Sequence, residues 1–475
     1  MTQSPPDIPM RALFDAQHQA SRAQIDVPLA LRLDRLHRMR ALINVHGAAL
    51  AEAVQADFGV RSVRLTEVAD FFVLRALLGD LEKHTGAWMK PQRVRTPIYL
   101  QPASGHIQRQ PLGVVGVIGP WNYPLQLTLG PAATALAAGN RVMLKPSELT
   151  PHTSALLATV LAQAFGADEL CVVQGGADVA HEFASLPFDH LFFTGSTRVG
   201  RVVAQAAAAN LTPTTLELGG KSPCIIDASC DIASAAIKIA HGKLLNAGQT
   251  CIAPDYVLLP QGREAEFEQA FAAAVARLFP TLAGNPDYAS IVSDRHHARL
   301  QSLLSEAQSQ GARVVEIQTG GNVPAAAGSR QMTPALVFHP QPGLRLMNEE
   351  IFGPILPVLP YRKLDEAIAT INAGPRPLAL YWFGSDTESR DHVLHHTVSG
   401  GVTVNDTLLH IAHDNLPFGG VGESGWGAYH GETGFLRFTQ QKAVLVQSRF
   451  AMGSLFYPPY GKRFDQVMGL LKRWL

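Results

Sequence analysis

Short apolar strands alternate with helical segments through most of the chain, and this alternation limits the possible folds more than any other feature. Between residues 114 and 209, strands such as Val114–Ile118 and Arg141–Lys145 are each followed by a loop and a helix. A second run of the same kind covers residues 215–405. Such alternation favours parallel sheets with helices on both faces, because a parallel connection has to cross the sheet. The sequence therefore predicts an α/β fold with two doubly wound domains.

The segments on either side of this region have a different pattern. Residues 10–85 carry apolar side chains at helical spacing and are predicted to be helical. Residues 98–101 and 106–108 flank a turn-forming Pro-Ala-Ser-Gly segment and are predicted to form a β-hairpin. A hairpin at this place could reach a partner subunit, and the strand predicted at 443–447 could pair with it.

Charge and cysteine content exclude several classes of protein. The chain has 39 Lys plus Arg against 39 Asp plus Glu and no basic block, so no nucleic-acid partner is expected. The four cysteines, at positions 171, 224, 230 and 251, form no Cys-x-x-Cys pair, which argues against a zinc site and a disulfide framework. Free thiols are typical of a reducing compartment, and the cytoplasm is predicted. Histidines at 395–396 and 410–413 lack an acidic or cysteine partner at ligand spacing, so no metal is predicted.

Two apolar segments could suggest a membrane. Residues 111–140 carry no charge, but four prolines would interrupt a spanning helix, so this stretch is predicted as buried strand, loop and helix. In the tail, residues 449–475, apolar side chains recur at helical spacing beside lysines and arginines. Docking of this tail on the protein is favoured over contact with a membrane surface. The apolar residues of the tail are Phe464, Val467, Met468, Leu471, Trp474 and Leu475.

Cys251 lies in a segment of small, turn-forming residues, 245–254, between two apolar stretches. Such a segment can expose a thiol to a cleft and still hold it firmly. The thiolate is the reactive form, and at a pKa of about 8.5 only about 3% of a free thiol is ionised at neutral pH. Cys251 is therefore either a nucleophile that needs activation or one more small buried side chain.

Two other segments carry groups that would assist a nucleophile. Glu217 stands between two leucines just before a double glycine, and apolar neighbours should raise the pKa of its carboxyl, which suits a general base. Asn122 lies in a loop between two prolines, where its amide could donate to an oxyanion. A solvent-facing glutamate and an ordinary turn asparagine are the alternatives.

Three loops could bind a dinucleotide. Lys145 and Glu148 follow a predicted strand and could hydrogen-bond ribose hydroxyls, or form a routine surface ion pair. Gly195 and Ser196 lie in a strand-to-helix turn of the kind that binds anions, although the spacing is not Gly-x-Gly-x-x-Gly. Residues 348–354 place acids beside an aromatic residue and a turn, or form a buried loop. Spacing alone leaves the question of dinucleotide binding open.

Taken together, these segments resemble the aldehyde dehydrogenase superfamily over residues 30–447. The ordered set of motifs is specific: WNYP at 121–124, KPSE at 145–148, FTGST at 193–197, LELGGK at 216–221, GQTC at 248–251 and EEIFGP at 349–354. The chain is most similar to the class 3 branch, which includes coniferyl aldehyde dehydrogenases. That likeness rests on CIAPD at 251–255, VNDTLLH at 404–410, LPFGGVG at 416–422 and GAYHG at 427–431.

The resemblance implies a role for each matching residue. It implies that Cys251 is the nucleophile, that Glu217 activates water and that Asn122 stabilises the oxyanion. It assigns Tyr123 to the substrate tunnel. The residues implied for cofactor binding are Trp121, Lys145, Glu148, Gly195, Ser196, Glu350 and Phe352.

The resemblance also implies a division of the chain. Residues 1–91 and 110–215 would form an NAD(P)-binding domain, and residues 216–405 a catalytic domain. Residues 92–109 and 437–448 would form a small β arm for oligomerisation, with residues 449–475 as a C-terminal tail. A homodimer is expected from this arm.

The implied reaction is the NAD(P)-dependent oxidation of an aldehyde to the carboxylic acid through a thiohemiacetal and a thioester. Glu148 would repel a 2′-phosphate, so NAD is favoured as cofactor, with NADP possible. The substrate would be an aromatic aldehyde such as coniferaldehyde, or a medium- or long-chain aliphatic one. One alternative is a relative that transfers the acyl group to coenzyme A, but such enzymes tend to lack the glutamate found here at Glu217. Another is a non-catalytic binding or structural protein on the same fold.

Overall fold

The computed structural model describes residues 9–320 and 329–473 of the chain. The helices are α1 Met10–Ala23, α2 Leu29–Phe58, α3 Val63–Thr66, α4 Val73–Trp88, α5 Gln126–Ala137, α6 Pro151–Ala164, α7 Ala177–Ala184, α8 Thr197–Ala208, α9 Ile232–Leu244, α10 Glu264–Leu278, α11 Asp294–Ser309, α12 Arg345–Asn348, α13 Leu364–Ala373, α14 Thr387–His396, α15 Gly431–Arg437 and α16 Lys462–Leu471. The strands are β1 Gln92–Val94, β2 Ser104–Pro111, β3 Val114–Ile118, β4 Arg141–Lys145, β5 Leu170–Val172, β6 His190–Gly195, β7 Thr214–Leu218, β8 Pro223–Ile226, β9 Tyr256–Pro260, β10 Arg313–Glu316, β11 Ala335–Phe338, β12 Ile355–Tyr361, β13 Ala379–Phe383, β14 Gly401–Val404, β15 Gly425–Trp426 and β16 Thr439–Val446.

Two large sheets contain most of these strands. The first sheet has six strands in the order β15-β7-β6-β3-β4-β5, and the second has seven in the order β10-β11-β12-β9-β8-β13-β14. All neighbouring pairs are parallel except at one edge of each sheet, where β15 and β10 run antiparallel to β7 and β11. The predicted α/β fold with two doubly wound units is confirmed. In sheets of this kind ligands bind beyond the carboxyl ends of the strands.

The break between the two sheets differs from the prediction. A boundary between residues 215 and 216 would cut β7, which is paired with β6 from Thr214 to Leu218 and stays in the first sheet. The change of sheet therefore comes between Leu218 and Pro223. This places Glu217 on the first sheet, whereas Cys251 precedes β9 of the second sheet.

A separate three-stranded antiparallel sheet, in the order β1-β2-β16, forms the arm. The predicted pairing of the C-terminal strand with the hairpin is confirmed, since β16 pairs with β2 along its whole length. The predicted strand at 98–101 is wrong: Ile98–Leu100 is a single 3₁₀ turn, and β1 is the true partner of β2. Pro97 and Pro102 bracket this turn, and proline cannot donate a ladder hydrogen bond.

The N-terminal helices pack into the main core, as predicted for residues 10–85. Leu36, Met39 and Ile43 on α2 are fully buried. A π-helical turn, Glu67–Phe72, leads directly into α4. Such turns are rare and often occur at functional sites.

The tail forms the helix α16, and none of its described residues is fully buried. Phe464 stacks on Tyr460 with ring centroids 4.8 Å apart. Trp474 and Leu475, part of the predicted apolar series, lie outside the described residues, as do residues 1–8. Within the described ranges no helix has the length and apolar character needed to cross a membrane.

Candidate active site

The segment before Cys251 has a strained backbone. α9 ends at Leu244, and Asn246, Ala247 and Gly248 then adopt positive φ values of 50°, 54° and 78°. The left-handed conformation costs a residue with a side chain about 1–2 kcal/mol, and such strain is concentrated at functional sites. A side chain at Gly248 would collide with the backbone of Gly353.

Buried hydrogen bonds hold this segment on both sides of the cysteine. The side chain of Gln249 donates to Asn246 O (2.9 Å) and Ser290 O (3.0 Å) and accepts from the Val292 N–H (2.9 Å). After the cysteine, the Tyr381 hydroxyl donates to Ile252 O at 2.5 Å. The position of the thiol is therefore set by contacts that are distant in sequence.

The Cys251 thiol is protonated at neutral pH in this structure. Burial raises its pKa to about 12, and the carboxylates of Glu350 and Glu217 act in the same direction. The backbone N–H groups of Cys251 and Ile252 act in the opposite direction. The residue as a whole is partly exposed, but the thiol itself is in a buried setting. Sulfur chemistry at this site needs a group that removes the proton.

Glu217 has the properties of such a group. It is buried on β7, and neither carboxylate oxygen has a hydrogen-bond partner among the described residues. Burial raises the pKa of this carboxyl well above its usual value, which confirms the shift predicted from its apolar neighbours. Thr194 is its register partner on β6, and the Thr194 hydroxyl is also buried without a partner. Unpartnered buried polar atoms on adjacent strands are typical of a site that receives another molecule.

The loop of Asn122 is joined directly to the cysteine segment. The Asn122 side chain donates to Gln249 O at 3.1 Å, two residues before Cys251. In return, the Asn246 side chain donates to Asn122 O at 3.1 Å. The hydroxyls of Tyr123 and Thr250 lie 2.6 Å apart. Tyr123, predicted to line the substrate tunnel, is thus nearly fully buried and tied to the cysteine segment.

The residues expected at the adenosine end of a dinucleotide lie at the carboxyl ends of the first sheet's strands. Lys145 is the last residue of β4, and its Nζ lies 3.8 Å from the exposed carboxylate of Glu148. Gly195 ends β6, where an added Cβ would come within 2.5 Å of the Phe193 ring. Ser196 is the N-cap of α8 and accepts a hydrogen bond from its first turn. The free N–H groups of this helix end suit a pyrophosphate.

The residues expected at the nicotinamide end lie between the two sheets. Trp121 and Phe352 meet edge to face with ring centroids 5.4 Å apart, and His296 contacts Trp121 at 5.3 Å. The Glu350 carboxylate lies against Gly219, where a side chain would overlap it. Burial raises the pKa of Glu350 to about 8. The space at Gly219 and the Thr194 hydroxyl, which is buried without a partner among the described residues, fit a dinucleotide.

Several residues at the site escaped the sequence analysis. Arg61 and Asp70 form a fully buried ion pair beside Asn122, and Tyr429 is buried close enough to Glu217 and Cys251 for both to raise the pKa of its hydroxyl. The burial of Asp70 could have been predicted, because it shares helical spacing with the buried Leu74, Leu77 and Leu81. Tyr429 lies in the GAYHG motif at 427–431, which carries the family resemblance but assigns this tyrosine no role, and Arg61 carries no local signal. In the part of the chain that the structure describes, no three His, Cys, Asp or Glu side chains are placed to hold a metal.

Two doubly wound sheets that meet near a thiol, a buried carboxyl and an amide suit an enzyme that binds a nucleotide beyond its strand ends. The model of the aldehyde dehydrogenase family matches residues 9–444. The chain therefore belongs to the aldehyde dehydrogenase family. It is an NAD(P)-dependent oxidoreductase that converts aldehydes to carboxylic acids.

Individual relatives agree with this assignment. The chain is 48% identical to a protein of Pseudomonas aeruginosa named "probable coniferyl aldehyde dehydrogenase", over 97% of this chain and 95% of the relative. It is 39% identical to aldehyde dehydrogenase family 3 member A2 of Pongo abelii, over 94% and 91% of the two chains. The solved structure of Staphylococcus aureus AldH in a substrate-bound state superimposes with a TM-score of 0.90 at 36% identity, over 97% and 99% of the chains. The resemblance to the class 3 branch is confirmed.

Proposed function

We propose that Cys251 is the nucleophile of this enzyme, with Asn122 as oxyanion donor and Glu217 as general base. One observation carries the proposal. The Glu217 carboxyl, buried and without a hydrogen-bond partner, lies near enough to the Cys251 thiol for its charge to raise the pKa of the thiol. A buried carboxyl in that state is a proton acceptor matched to a protonated thiol.

In the first step the sulfur of Cys251 forms a bond to the aldehyde carbon. Its proton passes to Glu217, and the electrons of the carbonyl double bond move to the oxygen. One N–H of the Asn122 amide is fixed by Gln249 O, which leaves the other N–H for the oxyanion beside the backbone N–H of Cys251. Removing one such donor reduces kcat by about 10²–10³-fold in enzymes of this kind.

The bound NAD(P)⁺ supplies the acceptor for the hydride that leaves the carbon. Lys145 and Glu148 would hold the adenosine ribose, and the α8 N-terminus with Gly195 and Ser196 would hold the pyrophosphate. At the other end Glu350 would hold the nicotinamide ribose, with Phe352 and Trp121 against the ring. These aromatic side chains also exclude water from the reacting atoms.

Glu217 then acts a second time, on water. The Glu217 carboxyl first releases to solvent the proton that it took from Cys251. The carboxylate then removes a proton from water as the oxygen bonds to the thioester carbon, and the carbon–sulfur bond breaks to release the acid. The leaving thiolate of Cys251 takes up a proton, because burial favours the neutral thiol. The carboxylate oxygens of Glu217 can bind this water because neither has a hydrogen-bond partner among the described residues.

NAD is the favoured cofactor. The Glu148 carboxylate is exposed beside Lys145 at the ribose position, where its charge would repel a 2′-phosphate. The ratio of kcat/KM for NAD and NADP tests this choice, and a ratio below one would refute it.

Aromatic aldehydes of the coniferyl type are the favoured substrates. Relatives of nearly equal length carry that name, and the site is bordered by the rings of Trp121, Phe352 and His296. A kcat/KM panel of coniferaldehyde, benzaldehyde and aliphatic aldehydes of increasing length ranks the classes. Higher values for the aliphatic series would favour the second candidate, a medium- or long-chain aldehyde.

A homodimer formed through the arm is part of the proposal. Among the described residues β1 pairs only with β2, so its outer edge is open. The arm also exposes large apolar side chains, and exposed edges and patches of this kind mark interfaces. These side chains are Ile98, Tyr99, Leu445 and Val446.

The four cysteines are free, in keeping with the predicted cytoplasmic location.

Replacement of Cys251 tests the central proposal. We expect Cys251→Ala to form no reduced cofactor in a single turnover, whereas Cys230→Ala, which removes a partly exposed thiol elsewhere, should behave as the native enzyme. A burst in the Cys251 variant would contradict the assignment. Formation of acyl-CoA when coenzyme A is added would favour the acylating alternative. Absence of any aldehyde-dependent cofactor reduction in the native protein would favour a binding protein.

A further inference from the structure

The ion pair between Arg61 and Asp70 is fully buried next to the candidate active site. Both side chains have no exposed surface, and Arg61 Nη2 lies 2.9 Å from Asp70 Oδ2. Taking two charges out of water is expensive, and an apolar pair of similar size is often as stable or more so. A pair retained at this place is therefore a candidate for a functional role.

Arg61 contacts both loops that carry the reacting groups. Its Nη1 donates to Asn122 O at 2.5 Å and to Asn246 Oδ1 at 3.2 Å. The guanidinium carbon also lies 4.8 Å from the ring centroid of Phe58 and 5.2 Å from that of Tyr123. One planar group thus fixes the backbone of the oxyanion loop and the strained turn before the cysteine.

Asp70 connects Arg61 to α5, the helix that follows the oxyanion loop. Its Oδ1 accepts from the backbone N–H groups of Leu125 (3.3 Å) and Gln126 (3.0 Å), where α5 begins. Asp70 itself lies in the π-helical turn Glu67–Phe72. The ion pair therefore holds this short loop at Asn122 and at its carboxyl-terminal end, where α5 begins.

We propose that Arg61 is a positioning residue that sets the distance between the Asn122 amide and the Cys251 sulfur. A guanidinium has the number and planar arrangement of donors needed to bind Asp70, Asn122 and Asn246 together, whereas lysine is a single point charge. The inference rests on the proposed function of Asn122 and Cys251, since Arg61 acts through them.

Arg61→Lys tests the role while retaining the charge opposite Asp70. We expect kcat to fall about 10²-fold, the loss typical of a misplacement of about 1 Å, with the KM for the cofactor nearly unchanged. Arg35→Lys is the matched control. Arg35 is also buried, pairs with Glu169 at 3.0 Å and donates to Asn140 O, but it lies at the amino ends of β4 and β5, away from the site. Both variants should lose thermal stability, and only Arg61→Lys should lose kcat.

A double-mutant cycle with Asn122→Ala separates positioning from a general structural effect. If Arg61 acts through Asn122, then Arg61→Lys should reduce kcat far less in the Asn122→Ala background than in the native enzyme. An equal reduction in both backgrounds, or a native kcat for Arg61→Lys, would overturn the inference. Where Arg61→Lys does not fold, Arg61→Met combined with Asp70→Asn removes both charges, keeps an acceptor for α5, and should show the same loss.

The failure of this inference differs from failure of the proposed function. A burst of reduced cofactor in Cys251→Ala would remove the nucleophile and with it the basis for the role of Arg61. If Cys251→Ala forms no reduced cofactor and Arg61→Lys has the native kcat, the proposed function stands and only the positioning role of Arg61 is refuted.

Discussion

Replacement of Glu217 by glutamine tests whether one carboxyl serves both proton transfers. The change keeps the size of the side chain and removes its ability to accept a proton. Since neither oxygen of Glu217 has a hydrogen-bond partner in the described residues, the substitution breaks no contact and the fold should persist. The effect on catalysis can therefore be interpreted without a structural correction.

The expected magnitude follows from the loss of a general base. Such a loss slows the step it serves by about 10²–10⁴-fold, or about 3–5 kcal/mol of barrier. Hydrolysis of the thioester should be slowed by this factor. Water can accept the proton of the thiol in place of the missing carboxylate, so the first turnover should occur more slowly but to completion.

The assay is stopped-flow absorbance of reduced cofactor, with quenched-flow measurement of the acid product. We expect Glu217→Gln to show a burst of about one reduced cofactor per site, then a slow steady state, with acid formation at the slow rate only. A steady-state rate close to that of the native enzyme, or acid released in the burst, would refute the reasoning.

A stability measurement supplies an independent control. The pKa of Glu217 is raised in the folded protein, so between the unfolded pKa and the raised value the folded state retains a proton that the unfolded state has lost. This contribution to stability decreases as the pH rises. The thermal midpoint of Glu217→Gln minus that of the native enzyme should therefore become larger from pH 5 to pH 8. A difference that does not change with pH would contradict the raised pKa of Glu217.

Four further predictions can be checked by kinetics or light scattering. Gly219→Ala should raise the cofactor KM by about tenfold or more with the thermal midpoint retained, because the methyl group would displace the Glu350 carboxylate, and loss of a charge-assisted hydrogen bond has this size. Glu148→Gln should shift the ratio of kcat/KM towards NADP, since it removes a charge from the ribose position. Alkylation of Cys251 by iodoacetamide should accelerate up to pH 9 without a plateau, because the raised pKa of about 12 keeps the thiol protonated below that pH. Leu445→Glu should convert the proposed dimer to a monomer in light scattering, because it places a charge on an exposed apolar position of the arm.

The errors of the sequence analysis have local explanations. The segment at 98–101 is apolar enough for a strand, but flanking prolines remove the donors that a ladder requires. The resemblance implies a boundary at 215/216, and only the pairing of β7 with β6 shows that the whole of this strand belongs to the first sheet. Sequence patterns indicate which segments are strands, but hydrogen-bond partners decide which sheet they join.

Some site residues were recognisable because their chemistry is concentrated in short motifs. Cys251, Glu217, Asn122 and Lys145 each follow or end an apolar element beside glycine or proline, and the pattern of such residues identified the family. Arg61 lies in no such motif. Its importance depends on Asp70, Asn122 and Asn246, which are far from it in sequence or at unrelated spacing.

The sequence by itself determined the alternation of elements, the residue types at the strand ends and the family. Those properties depend on local periodicity and short motifs. Only the tertiary structure decided that Glu217 of the first sheet lies near Cys251, which precedes a strand of the second. The same holds for the buried ion pair that joins the Asn122 loop to the turn before Cys251. The physical reason is that pKa shifts and unpartnered polar groups arise from burial, and burial is a property of packing between distant segments.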